Sequence, residues 1–571
     1  MAPTITRSAP AFVKPRFGAV DRWRFPLGLI VLVVLAGWNA HVDLRLLVSH
    51  QMWTSIADLL VRLFPPDLSF SFLKVALRAT LTTAATAVVA TVLSASLAMP
   101  LGVLASGRLW RNGIADDQGG PSILKALSWM TLHVMGVIRS VPDLVWALLF
   151  VAGLGLGPLP GTLALVISYT ALLGRVYADI FDEADVRPLE ALRGLGATRL
   201  QMLLFGILPQ SRALLTSYTL YSFECCVRSA AVLGFVGAGG LGYEISLSSR
   251  LFEFSQVLTL IGCFVLLLFL VDLLSRAMRG RIVTPSETGV RASKRGDVFK
   301  RPLVSRSFIG VALLGVLFAS LPVAGLRWDN FAASDTIPNL ARFARSLFRP
   351  EWSPAFLREV GVLALQTISI SVLGTVTGAV LGLMLAFPAT RLRSARHESL
   401  ERSWLLRMRG EVVFWLARLV SNLLRATPEL VWVLVCVIAV GFGPFAGAIA
   451  LGLHTGGVLG KLFAETMEES PQEQVEALLA FGATPLQCMF WALLPQSWPM
   501  MRRYILLRWD MNLRAATILG LVGGGGLGQA LYNDVQLGDY GKVSTLIAAV
   551  IVLVVASDWL SQPSARMEMQ T

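Results

Sequence analysis

The sequence predicts an all-α, polytopic membrane protein with about twelve transmembrane helices, arranged as two tandem six-helix repeats. Of the 571 residues, 55% are hydrophobic and only 15% are charged, and the mean hydropathy is +0.66. This composition is typical of an integral membrane protein and excludes a large soluble one. Residues 139–242 also align without a gap with residues 425–528, and 41 of the 104 positions are identical. A repeat of this length indicates two fused copies of one unit, related by a pseudo-two-fold axis along the membrane normal.

Twelve apolar segments are long enough to be candidate spans, since a bilayer core needs about 20 apolar residues per helix. The six in the first half lie near residues 26–46, 76–105, 128–156, 160–179, 208–236 and 255–277. The six in the second half lie near residues 307–326, 359–388, 411–442, 446–465, 496–522 and 543–561. We therefore divide the chain into a first repeat (1–277), a basic cytoplasmic linker (278–306) and a second repeat (307–571).

The distribution of basic residues predicts a cytoplasmic N-terminus. Lys and Arg cluster in the N-terminal tail, in the loop after the second helix of each half, and in the linker. All these segments lie on one side if each half crosses the membrane six times, and cations mark the cytoplasmic side. Residues 327–358, a predicted external loop, oppose this with five arginines, although three acidic residues accompany them. We expect the bacterial cytoplasmic (inner) membrane, with the N-terminus inside.

Each half contains one sizeable polar interruption, which we call the elbow (residues 184–207 and 470–493). In the second elbow, Ser470 is a candidate N-cap, with Pro471 at the first helical position and Glu473 completing a capping box. Gly482 can take the left-handed conformation that ends a helix, and Thr484 can begin the next one. The first elbow offers the corresponding set Asp185, Pro188, Gly196 and Thr198. The product is a short amphipathic helix, a glycine corner and a second helix. An ordinary interfacial loop helix is the alternative, but it does not account for both copies keeping the same residues.

The two elbows resemble the EAA loop, which marks the permease subunits of binding-protein-dependent ABC importers. The matching residues are Glu190-Ala191-Leu192 with Gly196 and Leu208-Pro209, and Glu476-Ala477-Leu478 with Gly482 and Leu494-Pro495. Leu at the third letter departs from the general pattern, as do Gly206 and Ala492 three residues before the proline. The surrounding residues are similar to those of the phosphonate/phosphite permease family. They include Pro142-Asp143-Leu144-Val145-Trp146, Gly155-x-Gly157-Pro158 and Gly239-Gly240-Leu241-Gly242 with their second copies.

The resemblance implies the fold of type I importer permeases (MetI-like) and a mechanism that depends on other chains. Glu190, Ala191, Gly196, Glu476, Ala477 and Gly482 would couple the permease to ATP-hydrolysing subunits. We expect two ABC ATPase subunits at the cytoplasmic face and an external solute-binding protein, either periplasmic or a lipoprotein. No phosphate-binding loop with Gly, Lys and Ser/Thr in the required spacing occurs in the sequence, so ATP and Mg²⁺ are expected on the partner subunits, with no cofactor on this chain.

Four pairs of charged residues fall inside predicted spans, where ionisable groups are costly and usually face a cavity or one another. They are Arg139 with Asp143, Glu224 with Arg228, Arg425 with Glu429, and Asp510 with Arg514. One interpretation is four structural pairs, each neutralised within its own helix or reaching toward a helix end. The other is a translocation path in which arginines of both halves bind a tetrahedral oxyanion.

Two glycine runs match a dinucleotide-binding pattern by letter but close membrane helices instead of following a β-strand. Gly239, Gly240 and Gly242, with their copies Gly525, Gly526 and Gly528, are therefore expected to form a hinge or a close-packed bend at the gate. The five cysteines and five histidines show no metal-ligand spacing, and no nucleophile–base constellation is visible, so we expect no metal site and no enzyme.

The sequence thus predicts the permease of an ATP-driven importer, with a phosphonate, a phosphite or a similar small oxyanion as its cargo. Within the same class, an amino acid, a metal or an organic anion remains open as the cargo. An ion-coupled secondary transporter built from parallel repeats is the alternative of another class, and the paired EAA-like elbows count against it.

Overall fold

A computed structural model describes residues 30–40, 42–43, 45, 49–107, 122–282, 315–325, 345, 349–391 and 404–561, and these residues contain helices but no strand. The helices of the first half are α1 (Ile30–Asn39), α2 (His50–Leu63), α3 (Phe70–Ala105), α4 (Ser122–Ser140), α5 (Asp143–Leu154), α6 (Pro158–Glu183), α7 (Val186–Gly194), α8 (Arg199–Met202), α9 (Leu208–Leu233), α10 (Gly240–Arg250) and α11 (Phe254–Ile282). The helices of the second half are α12 (residues 315–323), α13 (Pro354–Ala389), α14 (Trp404–Ala426), α15 (Glu429–Val440), α16 (Pro444–Glu469), α17 (Glu473–Ala480), α18 (Pro485–Cys488), α19 (Leu494–Leu519), α20 (Gly526–Leu537) and α21 (Tyr540–Ser561). Among the described residues, each helix of the first half except α2 has a counterpart in the second, so the predicted all-α class and paired repeats are confirmed.

Within the described residues, seven helical segments are long and apolar enough to cross a membrane, and two bent helix pairs raise this number to nine. Three of the twelve predicted spans are not among them. The helices α1 and α12 belong to predicted spans that lie partly outside the described residues. The third, α19, carries Arg502, Arg503, Arg508, Asp510 and Arg514. The chain is therefore a multi-pass membrane protein. Most cations behind the predicted orientation lie outside the described residues, so the cytoplasmic N-terminus stays a prediction.

The helices α13 and α16 pack closely because glycines on each helix lie against side chains of the other. Gly374 and Gly378 on α13 lie so near α16 that added Cβ atoms would come within 2.8 Å of Leu451 and 2.6 Å of Thr455. On α16, Gly456 faces Leu381 in the same way, at 2.6 Å. Small residues at four-residue spacing let two membrane helices approach closely, where van der Waals contact replaces the missing hydrophobic driving force. The fourth helix of each half, predicted as a short span, is thus a 26-residue central helix.

The first helix of each half packs against the other half. Asn39, at the end of α1, donates a hydrogen bond to Oγ of Ser369 on α13 at 3.1 Å. In the opposite direction, Thr162 on α6 donates to the carbonyl of Ala324, just after α12, at 3.0 Å. This exchange ties the two repeats into one bundle.

Candidate functional site

The first elbow is built as the sequence predicts. Asp185 caps α7, since its carboxylate accepts a hydrogen bond from the backbone N–H of Arg187 at 3.1 Å. Gly196 has φ of +80°, in the left-handed region that ends the helix. Thr198 then begins α8 through a capping box with Gln201.

The second elbow differs from the prediction at its start. Helix α17 begins at Glu473, and Gln472 precedes it without a side-chain cap. Ser470 instead ends α16, where its hydroxyl bonds the carbonyl of Thr466 at 2.8 Å and lies 2.9 Å from Oγ of Ser497. The predicted capping box of Ser470 and Glu473 is therefore wrong, because the hydroxyl is already used. The corner itself is as predicted, with Gly482 at φ of +84° and a capping box that begins at Thr484.

A small residue lets each elbow helix pack onto the helix that follows. A Cβ atom on Gly206 would overlap the side chain of Leu189, which is fully buried. In the second elbow the equivalent pair is Ala492 and Val475, both buried. The first pair combines a larger side chain with glycine, and the second a smaller one with alanine. The departures of Gly206 and Ala492 from the family pattern are thus explained by the size of the elbow side chain that packs against each of them.

Each elbow presents a large apolar side chain to the outside, next to its glycine corner. Leu195 is 85% exposed and Phe481 is 90% exposed. Glu190, Ala191, Glu476 and Ala477 are exposed on the same short helices. An exposed apolar tip beside polar residues is a surface suited to a partner protein. The elbows differ in charge, since Arg187 of the first is replaced by Glu473 in the second.

Two predicted spans are broken in the structure. The helices on either side of Pro142 are bent by 81°, and those on either side of Pro428 by 96°. The continuous spans predicted over 128–156 and 411–442 are wrong in this respect. A proline lacks the N–H that a helix interior needs and also disfavours helical backbone at the preceding residue. Arg139 and Arg425 consequently end one helix, whereas Asp143 and Glu429 begin the next.

These breaks bring charged residues of the two halves together at their boundary. Asp143, the first residue of α5, interacts electrostatically with Glu429, the first residue of α15. Glu429 in turn interacts with His454 and Arg508 of its own half and with Arg228 of the first half. Breaks in equivalent helices of two repeats are a common position for a transport site. We call Arg228, Glu429, His454 and Arg508 the boundary cluster.

Of the two remaining predicted pairs, one residue has a different partner and the other pair forms as predicted. Glu224 forms an ion pair with Arg279 of α11 instead of Arg228. Asp510 does pair with Arg514, at 3.2 Å, and also accepts a hydrogen bond from Ser557 at 2.6 Å. The interpretation of four structural pairs is therefore wrong, because only the pair of Asp510 and Arg514 forms as predicted. That the eight charged residues line a translocation path stays a prediction.

A polar cavity of about 590 Å³ lies where α11 of the first half approaches α14 and α16 of the second. Arg425 lines this cavity, and its Nε donates to the amide oxygen of Asn422 at 3.2 Å. The other charged lining residues are Asp272, Arg276, Arg418, Lys461 and Glu465. Four cations against two carboxylates make the cavity electropositive. The counterpart arginine, Arg139, interacts with Asp179 on α6.

The glycine runs form close-packed bends. Gly239 and Gly240 have φ of +74° and +73°, and Gly525 and Gly526 have +78° and +73°. A Cβ on Gly242 would overlap the carbonyl of Ala231, and one on Gly528 would overlap that of Thr517. The prediction of a close-packed bend is therefore confirmed, while a role as a gate stays a prediction.

The residues that sequence reasoning missed are mainly cations whose partners lie far away in the chain. Arg508 replaces Ser222 of the first repeat, and this difference within an apolar segment was the available signal. Arg279 and Arg418 offered no such signal, because both lie outside the residues that align between the two repeats. Among the described residues, no group of three or more His, Cys, Asp and Glu residues could hold a metal ion.

The comparison with protein families matches residues 122–284 and 378–564 to the binding-protein-dependent transport system inner membrane component. The two matches fall in opposite repeats and together cover more than half of the chain. The phosphate-import permease protein PhnE of Mycolicibacterium smegmatis is 31% identical over 508 residues, which cover 89% of this chain and 88% of the relative.

Two further relatives match one repeat at most. The phosphite transport system permease protein PtxC of Stutzerimonas stutzeri is 34% identical over 254 residues, or 44% of this chain and 84% of the relative. The putative cryptic phosphonate transport system permease protein PhnE2 of Escherichia coli is 39% identical over 121 residues, or 21% of this chain and 99% of the relative.

Proposed function

We propose, from the premise that this chain belongs to the binding-protein-dependent transport system inner membrane component family, that it is the transmembrane permease of an ATP-driven importer of phosphorus oxyanions. The family match to both repeats carries this proposal, because permeases of this kind need two opposed halves and one chain here contains both. The paired broken helices, with Asp143 and Glu429 at their first residues, support a path at the boundary between the halves.

The cargo proposal depends on the names of the relatives and on the chemistry of the boundary. The relatives are named for phosphate, phosphite and phosphonate transport. Arg228 and Arg508 bring guanidinium groups from both halves to the boundary, and guanidinium groups match the geometry of tetrahedral oxyanions. The electropositive cavity around Arg425 would extend the attraction of the anion along the same boundary.

Two ABC ATPase subunits would dock on the two elbows. Leu195 and Phe481 supply exposed apolar tips, and the left-handed glycines Gly196 and Gly482 hold these tips at a sharp corner. ATP and Mg²⁺ would be bound by those subunits. Their closure would draw the elbows together, and the bundles would open the boundary alternately to each side of the membrane. An external binding protein would deliver the anion.

Reconstitution tests this function directly. The permease is purified with its ATPase subunits and binding protein, and uptake of ³²P-phosphate into ATP-loaded proteoliposomes is measured, with phosphite and methylphosphonate as competitors. We expect uptake that needs ATP and the binding protein and that a protonophore does not abolish. Uptake that persists without ATP but stops with the protonophore would indicate a secondary transporter instead. A hydrolysis-deficient ATPase subunit is the matched control.

A further inference from the structure

The boundary cluster contains a hydrogen-bond donor that has no acceptor among the described residues. The Nε of Arg508 is buried and has no acceptor among the described residues, and its Nη1 reaches only the sulfur of Met511 at 3.5 Å. A buried donor without a partner is destabilising, and more so when it is charged. An anion that accepts from Arg508 would remove this cost.

The same cluster also contains acceptors, which an ordinary anion site would avoid. Glu429 interacts with both arginines, and its Oε2 lies 4.0 Å from Nε2 of His454. Nδ1 of His454 lies 3.1 Å from the carbonyl oxygen of Thr427, which can only accept, so Nδ1 carries the proton. In the neutral ring Nε2 is then an acceptor, and it is directed toward Glu429.

The histidine and the second arginine of the cluster occur in one half only. The residues equivalent to His454 and Arg508 in the first repeat are Ser168 and Ser222. The carboxylate equivalent to Glu429 is Asp143, which lies near Ser229. Glu429 interacts with both arginines and lies beside His454, so it is the carboxylate placed to share a cargo with them.

A carboxylate next to an anion is repulsive unless the anion donates a hydrogen to it. We propose that the boundary cluster selects an oxyanion that still carries a proton, with Arg228 and Arg508 donating to its bare oxygens, and with Glu429 and His454 Nε2 sharing the single hydrogen of its P–OH group as two acceptors. This inference rests on the proposed function and deepens it, since it names the form of the cargo that the permease itself recognises. Hydrogen phosphate and the monoanions of phosphite and of alkylphosphonates have such a proton. Sulfate has the same shape and no proton at neutral pH, so it is rejected.

Binding without the external binding protein tests the inference, because that protein imposes its own selection. The permease–ATPase complex in lipid nanodiscs is titrated at pH 7 with inorganic phosphate or sulfate, at constant ionic strength, and Kd is obtained from thermal stabilisation. We expect wild type to prefer phosphate by at least about tenfold, as one hydrogen bond to a charged group allows. Glu429→Gln adds a donor and should bring the ratio close to one, whereas Arg508→Gln should weaken both anions.

Glu411→Gln is the matched control, because Glu411 pairs with Arg391 away from the cluster and its loss should leave the ratio unchanged. If Glu429→Gln does not yield an intact complex, His454→Ser replaces it as the test variant. This substitution installs the residue found at the equivalent position of the first repeat, and it should also lower the preference for phosphate over sulfate. A wild-type complex that binds sulfate as well as phosphate overturns the inference, as does an unchanged ratio in the variants. The proposed function fails separately, if wild-type proteoliposomes import no phosphorus oxyanion.

Discussion

The backbone N–H of Leu241 donates a hydrogen bond to the side-chain hydroxyl of Thr83 at 2.9 Å, and this bond joins the glycine bend to α3. The second half repeats it, with Leu527 donating to Thr367 at 3.0 Å. Gly240 and Gly526 make the approach possible, because a Cβ on either would lie 2.5 Å from the threonine oxygen. Each bend is thus anchored to a 36-residue helix through one buried bond.

Thr83→Val should destabilise the protein by about 1–3 kcal/mol, since the shape of the side chain is kept and the buried N–H of Leu241 loses its acceptor. Thermal unfolding of the purified complex measures the loss. Thr82→Val is the control, because Thr82 is only half-buried and its hydroxyl bonds the preceding turn of its own helix. Equal melting temperatures for the two variants would contradict the anchoring role.

The elbow packing predicts a compensating pair of substitutions. Gly206→Ala alone should overpack against Leu189 and cost about 1–3 kcal/mol, and Leu189→Val alone should leave a small cavity. The double variant recreates the combination of Val475 and Ala492, so it should recover most of the loss. Thermal unfolding of the four proteins gives the coupling energy. Strictly additive losses would show that the two side chains do not share one space.

Replacing the exposed tips should disconnect the motor subunits without harming the fold. Leu195→Asp and Phe481→Asp place a charge where an apolar tip would enter a partner surface, and we expect loss of co-purifying ATPase subunits with an unchanged melting temperature for the permease alone. Leu537→Asp is the matched control, since Leu537 is 75% exposed at the end of α20, outside the elbows. Retention of both ATPase subunits by the double elbow variant would end the docking proposal.

Two equivalent arginines should give opposite phenotypes. Arg514→Gln leaves Asp510 buried without its partner, which costs about 3–5 kcal/mol, so we expect poor folding. Arg228→Gln removes an exposed side chain of the boundary cluster, so we expect a normal melting temperature with phosphate uptake reduced about tenfold or more. Melting temperature and uptake are measured for both. Normal uptake by Arg228→Gln would remove Arg228 from the path.

The repeat and the hydropathy pattern predict the fold class, the pairing of helices and the glycine corners, because these features depend on residues close together in the chain. The helix breaks at Pro142 and Pro428 could also have been predicted from the prolines themselves. The apolar residues on both sides of each proline instead suggested one continuous span. The cap at Ser470 was misjudged because its hydroxyl is bound by Ser497, which lies on a later helix.

The charge pairing could not be predicted, because it depends on distances across the bundle. Glu224 and Arg228 are four residues apart, yet Glu224 pairs with Arg279, which is 55 positions away. The electrostatic interaction of Arg228 with Glu429 depends on how the two repeats are placed relative to each other, and no pattern within one repeat contains this information.

The exchange of first helices has a consequence for biogenesis. Asn39 and the residue that receives its hydrogen bond, Ser369, are 330 positions apart. At a synthesis rate of about 5–20 residues per second, α1 waits roughly 16–66 seconds after leaving the ribosome before its binding surface exists. During that interval its polar end must be shielded by lipid headgroups or an insertion factor. Release of the nascent chain before Ser369 emerges would leave Asn39 without the hydroxyl on α13 to which it donates.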